Sequence, residues 1–85
     1  LTTENSRLGN RLKVHRARAG LTQGQLAEAV AVSRRTINSV ENGIFVPSTE
    51  LALRLGAALG ASVEELFFLP DDGVSPAGLP RSGLH

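Results

Sequence analysis

The sequence contains no cysteine, so disulfides and cysteine-ligated metal sites are excluded. No other ligand cluster takes their place, because the two histidines, His15 and His85, lie far apart in the chain. No apolar run is long enough for a membrane span, and no secretory signal pattern opens the sequence. A cytoplasmic protein with no membrane contact is therefore expected. Methionine is also missing, which fits either a trimmed chain or a bacterial non-ATG start read as Leu1. There is no internal repeat, no glycine-rich phosphate loop, no inward pair of carboxylates and no Ser-His-Asp set. Roughly sixty ordered residues leave little room for a substrate cavity. The expectation is a protein that is not an enzyme and takes no cofactor or metal.

What is present suits one small globular domain with a thin core: 85 residues, 41% hydrophobic and 20% charged. The net charge of +1 hides an uneven distribution. Residues 1–43 carry seven Lys and Arg against three acids, a balance of +4. Residues 44–85 carry two Arg against five acids, a balance of −3. One half is suited to face an anion while the other faces water or a partner.

Helix punctuation is dense. A first helix is expected over 6–19, with Leu8, Leu12, His15, Arg16 and Ala19 on one stripe and Gly20 as its stop. His15 reads as a half-buried histidine rather than a ligand. Thr22 with Gln25 forms a capping box for a second helix, each side chain satisfying a backbone donor of the other. Ser33 caps a third helix over roughly 34–42, closed by Gly43. Pro47 and Ser48 open a fourth, with Leu51, Ala52, Leu55, Ala58 and Leu59 inward and Gly60 after it. Ser62 with Glu65 caps a short fifth helix over 63–68, and Pro70 stops it. Residues 1–7 read as an N-terminal extension, 8–69 as the domain, and 70–85 as a disordered tail rich in Pro and Gly.

The stretch "AVAVS" alternates like a strand but has no partner strand to pair with. As the end of a helix it places Leu26 and Val30 on one face. Val32, Ile37 and Val40 then point inward from a short turn and a third helix. This helix-turn-helix, with Gln23, Ala27, Ala31, Ile37 and Val40 at its key places, resembles the lambda-repressor-like, or Cro/C1-type, DNA-binding family. "NRLKVHRARAGLTQ" is similar to that family's first helix, and "ENGIFVPSTELALRLGAALGASVEELF" to its fourth and fifth. The resemblance implies an all-α, compact five-helix bundle. It implies sequence-specific binding of double-stranded DNA by a small transcriptional regulator, a repressor, with the third helix in the major groove.

With Ile37 inward, Val40 and Glu41 lie within about 60° of it, at about 100° per residue. Arg35, Ser39 and Asn42 fall on the far side, with Asn38 toward it. That outer face is polar, and two adjacent arginines stand at the end that enters the groove first. By resemblance, Arg34, Arg35 and Ser39 match base-reading positions, and Asn38 lies beside them. Gln23 matches a phosphate contact that also braces the first reading residue. Asn42 matches a phosphate contact whose backbone amide also faces DNA, and Thr36 is a further phosphate donor. Arg16 matches the position that pairs with Glu41, a structural tie between the first and third helices. Arg11 and Lys13 add attraction or simply face water.

Three features depart from the family pattern: Ala31 where glycine is usual, Gly24 near the start of the second helix, and the uncharged "IFV" at 44–46. A homodimer is expected, built on apolar residues left over from the core: Leu53, Phe68 and Leu69. The resemblance implies a cytoplasmic, nucleoid-associated protein of a bacterium or archaeon. The competing expectation is an antitoxin-like or coactivator-like module, in which the same fold binds a protein partner.

Overall fold

The computed structural model describes residues 8–70. Its elements, in order, are β1 (Gly9–Asn10), α1 (Leu12–Arg18), α2 (Gln23–Ala29), α3 (Arg34–Glu41), α4 (Thr49–Leu59), α5 (Val63–Leu66) and β2 (Phe67–Phe68). The five expected helices are present, and the second to fifth carry the expected N-caps. Thr22 accepts from the Gln25 N–H and Ser62 from the Glu65 N–H, both as full capping boxes. Ser33 and Ser48 accept from the N–H groups of Thr36 and Leu51. Each satisfied cap of this kind contributes about 1 kcal/mol.

Two boundaries differ from the sequence reading. The first helix starts at Leu12, not residue 6, because Gly9 and Asn10 are extended and pair antiparallel with Phe68 and Phe67. The fifth helix ends at Leu66 for the same reason. Two features enforce the extension. The Asn10 side chain accepts from the Leu12 N–H at 3.1 Å and donates to the Val40 carbonyl at 3.1 Å. The Phe68 ring lies so close on Gly9 that a Cβ there would fall 2.4 Å from it. The bundle is thus helical with one two-stranded clip. Ala19 and Ala58 also differ from expectation: both are exposed. Gly56 takes the inward place on α4, where an added Cβ would meet the Ala61 carbonyl oxygen at 2.5 Å. The reading of 1–7 as an extension, and that of 70–85 as a tail apart from Pro70, lie outside the described residues, as does His85.

The core is built from one side of each helix. Leu12, Leu26, Ile37, Val40, Leu55 and Leu66 are fully buried, and Ala27, Val30, Leu51, Ala52 and Phe67 nearly so. Burying one such large side chain contributes about 1.5–3 kcal/mol. The fold's central contact is α2 against α3, the pair joined by the turn at 30–33. Ala31 there has φ +63°. Its N–H donates to the Glu28 carbonyl and the Val32 N–H to the Ala27 carbonyl, which closes α2 as a Schellman turn. The left-handed residue of such a turn is usually glycine, and here it carries a methyl group.

No helix among the described residues is long and apolar enough to cross a membrane. Among the same residues, no group of His, Cys, Asp and Glu gathers as a metal site.

Candidate nucleic-acid interface

The interface is built on α3. Ile37 and Val40 anchor it in the core, and Ser33 fixes its first turn. Its other end is held by Asn10 from the chain's start and by its own closing turn. There Gly43 donates to the Val40 carbonyl, and Ile44 and Phe45 both donate to that of Ser39. With both ends fixed, the polar face is presented as a rigid surface. Arg34, Arg35 and Asn38 are exposed and line one shallow depression. Asn42 is exposed one turn on, and its side chain donates to that of Asn38 at 3.1 Å. Ser39 and Thr36 are half-buried at the margins. The Thr36 hydroxyl is 3.0 Å from that of Ser33. The backbone N–H of Asn42 does not face outward as expected. It donates to the Asn38 carbonyl at 3.0 Å, completing the last helical bond, and only its side chain is open to solvent.

Beneath this face lies the expected ion pair. Arg16 Nε donates to Glu41 at 2.5 Å and Nη2 to its other oxygen at 3.2 Å. A third guanidinium N–H, on Nη1, donates to the Leu21 carbonyl at 2.9 Å. The Glu41 side chain is only 3% exposed, so its charge depends on these partners. Burial pushes the Glu41 carboxyl up. The hydrogen bonds from Arg16 and Gln23, with the charges of Arg16 and Lys13, outweigh that and hold it below the ordinary glutamate value. Arg16 is held above its own ordinary value, first by its hydrogen bond to Glu41.

Gln23 stands at the start of α2, between these layers. It donates to Glu41 Oε1 at 3.0 Å, and its own oxygen lies 3.5 Å from Arg34 Nη1. Gln23 thus bridges Glu41 and Arg34, and its half-buried amide is engaged on both sides. Asn10 was missed as a member of the site. The signal was Gly-Asn directly before an apolar period, a pair that marks an extended or turning backbone.

Arg11 and Lys13 are both exposed. The Arg11 guanidinium sits 4.2 Å from the centre of the Phe68 ring, a cation–π contact. Phe68 is consequently half-buried against Gly9 and Arg11, within its own chain. Leu53 and Leu69 remain 59% and 66% exposed. Ile44, Phe45 and Val46 form a second exposed apolar stretch shortly after α3.

The sequence over residues 7–67 matches a family described as a helix-turn-helix domain. The chain is 46% identical over 63 residues to an HTH-type transcriptional regulator of Methanothermobacter thermautotrophicus, covering 73% of this chain and 91% of that one. Among solved structures it is similar to the clp gene regulator ClgR from Corynebacterium glutamicum. The identity is 41% and the TM-score 0.61, over 64% of this chain and 57% of that one. The chain thus matches little more than half the length of the ClgR structure. It is also similar to SinR, the master regulator for biofilm formation, solved in complex with DNA. There the identity is 29% and the TM-score 0.60, over 64% and 87% of the two chains.

Proposed function

Because the chain belongs to the helix-turn-helix family of Cro/C1-type transcriptional regulators, we propose that it regulates transcription by laying α3 in the major groove of duplex DNA. The observation that carries this reading is the gathering of Arg34, Arg35 and Asn38 around one exposed depression on a helix whose other face is locked into the core. Arginine bonds guanine O6 and N7 in a bidentate fork, and asparagine matches adenine N6 and N7. In this reading Arg34, Arg35, Asn38 and Ser39 face base edges, while Thr36 and the Asn42 side chain reach phosphates. The crystal structure of SinR with DNA supports the assignment, since SinR shares the fold. The family is one of DNA-binding regulators rather than an enzyme class.

In this reading the domain acts as a repressor, occupying promoter DNA at the nucleoid in the cytoplasm. One such domain covers a half-site, so the working form is a homodimer on two half-sites about 34 Å apart. Leu53 and Leu69 are the exposed apolar residues suited to that interface. Phe68 is less available to it, because its ring is half-buried and engaged by Gly9 and Arg11.

Selection of binding sites from a random duplex library tests the reading. A two-fold related consensus is expected, with affinity falling steeply as salt rises, because phosphate contacts release counterions. Failure to enrich any sequence, with a flat salt response, would reject DNA as the partner. It would favour the protein-interaction alternative, for which SinR, also solved in complex with SinI, is a precedent of fold.

A further inference from the structure

We propose that Glu41 sets the base-reading geometry of Arg34, without itself reaching DNA, by fixing which end of the Gln23 amide faces that arginine. This rests on the DNA-binding reading above and names a positioning residue within it.

An ionised carboxylate has no proton to give, so only the NH2 end of an amide can face it favourably. Gln23 Nε2 lies 3.0 Å from Glu41 Oε1 and is committed to that oxygen. The amide is planar, so its oxygen points the other way, and Arg34 Nη1 lies 3.5 Å from it. A guanidinium can only donate, so a flipped Gln23 would turn two like-ended donors toward each other. Glu41 cannot swing away to permit the flip. Arg16 grips both its oxygens and is itself tied to the Leu21 carbonyl.

A second feature supports the same arrangement. The Arg34 stem lies across Gly24, where an added Cβ would be 3.8 Å from Arg34 Cδ. Gly24, a poor helix former at the start of α2, leaves that surface without a side chain of its own. Arg34 thus lies along a bare stretch of α2 toward an acceptor of fixed orientation. The contact is long, so it guides the guanidinium while leaving its other donors for a base. Holding a long side chain near its bound rotamer lowers the ordering cost of binding and favours the sequence that this rotamer fits.

The test is a discrimination ratio. The affinity for the selected duplex is divided by that for a duplex changed at the base pair whose recognition Arg34→Ala abolishes. Three variants are compared with wild type, each with Arg34 in place and in the Arg34→Ala background: Glu41→Gln, Gln23→Met, and the exchange Gln23→Glu with Glu41→Gln. Glu41→Gln frees the amide to flip. Gln23→Met removes both its ends and leaves the Arg16–Glu41 pair intact, which keeps a folded variant in the set. Each is expected to lower the ratio about two- to tenfold, the worth of one ordinary hydrogen bond, and only while Arg34 is present. The exchange restores a carboxylate toward Arg34 and gives up one Arg16 hydrogen bond, because the amide NH2 at position 41 then faces Arg16 Nη2; it should recover the ratio at lower stability. A merely structural role for Glu41 would weaken both duplexes equally, in either Arg34 background, and the exchange would not recover the ratio. That outcome, or ratios equal to wild type in Glu41→Gln and Gln23→Met, overturns the proposal while leaving DNA binding standing. A wild type that binds all duplexes alike overturns both.

Discussion

Arg35 and Ala31 illustrate two kinds of residue in this chain. Arg35 is exposed on a face that the fold does not need, so its removal should leave stability unchanged. Arg35→Ala is expected to cost about 1–3 kcal/mol on the preferred duplex and to relax the preference at one base pair. Equal losses on all sequences, measured by titration, would reassign it to phosphate. Ala31 is strained, with φ +63° and an exposed methyl group. Ala31→Gly removes a penalty of about 1–2 kcal/mol, offset by about 0.5–1 kcal/mol of extra chain entropy in the unfolded state. A modest rise in melting temperature is the expected result, and a clear fall would contradict the left-handed geometry. The position was legible from sequence because a helix-turn-helix needs a left-handed residue there, whichever residue occupies it.

Legibility at the scale of elements followed the range of the interactions. The caps of α2, α3, α4 and α5 are local, each closed within three residues, and every one could be read directly. The β1–β2 clip joins residues 57 and 59 apart in sequence, and nothing near Gly9 announces Phe68. The exposed polar face of α3 was legible from helical periodicity. The commitment of the Asn42 N–H to the helix was not, because it depends on where the last turn closes. Two predictions belong to these joints. Asn10→Ala removes the side-chain tie between the start of α1 and the end of α3. It should cost about 1 kcal/mol in denaturant unfolding and weaken DNA binding alike on all sequences. Undiminished stability would show the tie to be idle. The Arg16–Glu41 pair gives the second. The Glu41 carboxyl is held below its ordinary value, so the folded state binds that proton less readily than the unfolded chain. Its contribution is complete above the unfolded glutamate value of about 4.3 and is lost as pH falls through the lower folded value. Glu41→Gln should be less stable at neutral pH, with the difference from wild type shrinking on acidification. A constant difference between pH 7 and pH 3 would contradict the assignment. Glu65 is also lowered, first by the Ser62 N–H, and its acid dependence should persist in the variant.

Across the whole molecule, the basic first half contains the recognition helix, and the acidic second half contains Leu53 and Leu69. A dimer closed through the second half would leave both DNA-facing surfaces open. Sedimentation at micromolar concentration should show a wild-type dimer and a Leu53→Glu monomer. A monomeric wild type, or a dimer indifferent to the substitution, would remove this surface from consideration. Phe68 is a poor probe for this purpose, since replacing it also releases Gly9 and Arg11. The clip between β1 and β2 has a consequence of another kind. It brings the two ends of the described chain side by side, so the domain is nearly a closed ring with its seam at Gly9 and Phe68. A circular permutant joined across that seam and reopened in the exposed 44–46 loop would keep every helix and every cap. A break placed after Phe45 would also spare the bonds from Ile44 and Phe45 to the Ser39 carbonyl that close α3. Segments joined directly before Gly9 and directly after Phe68 would leave from neighbouring points, held together by a sheet of four residues.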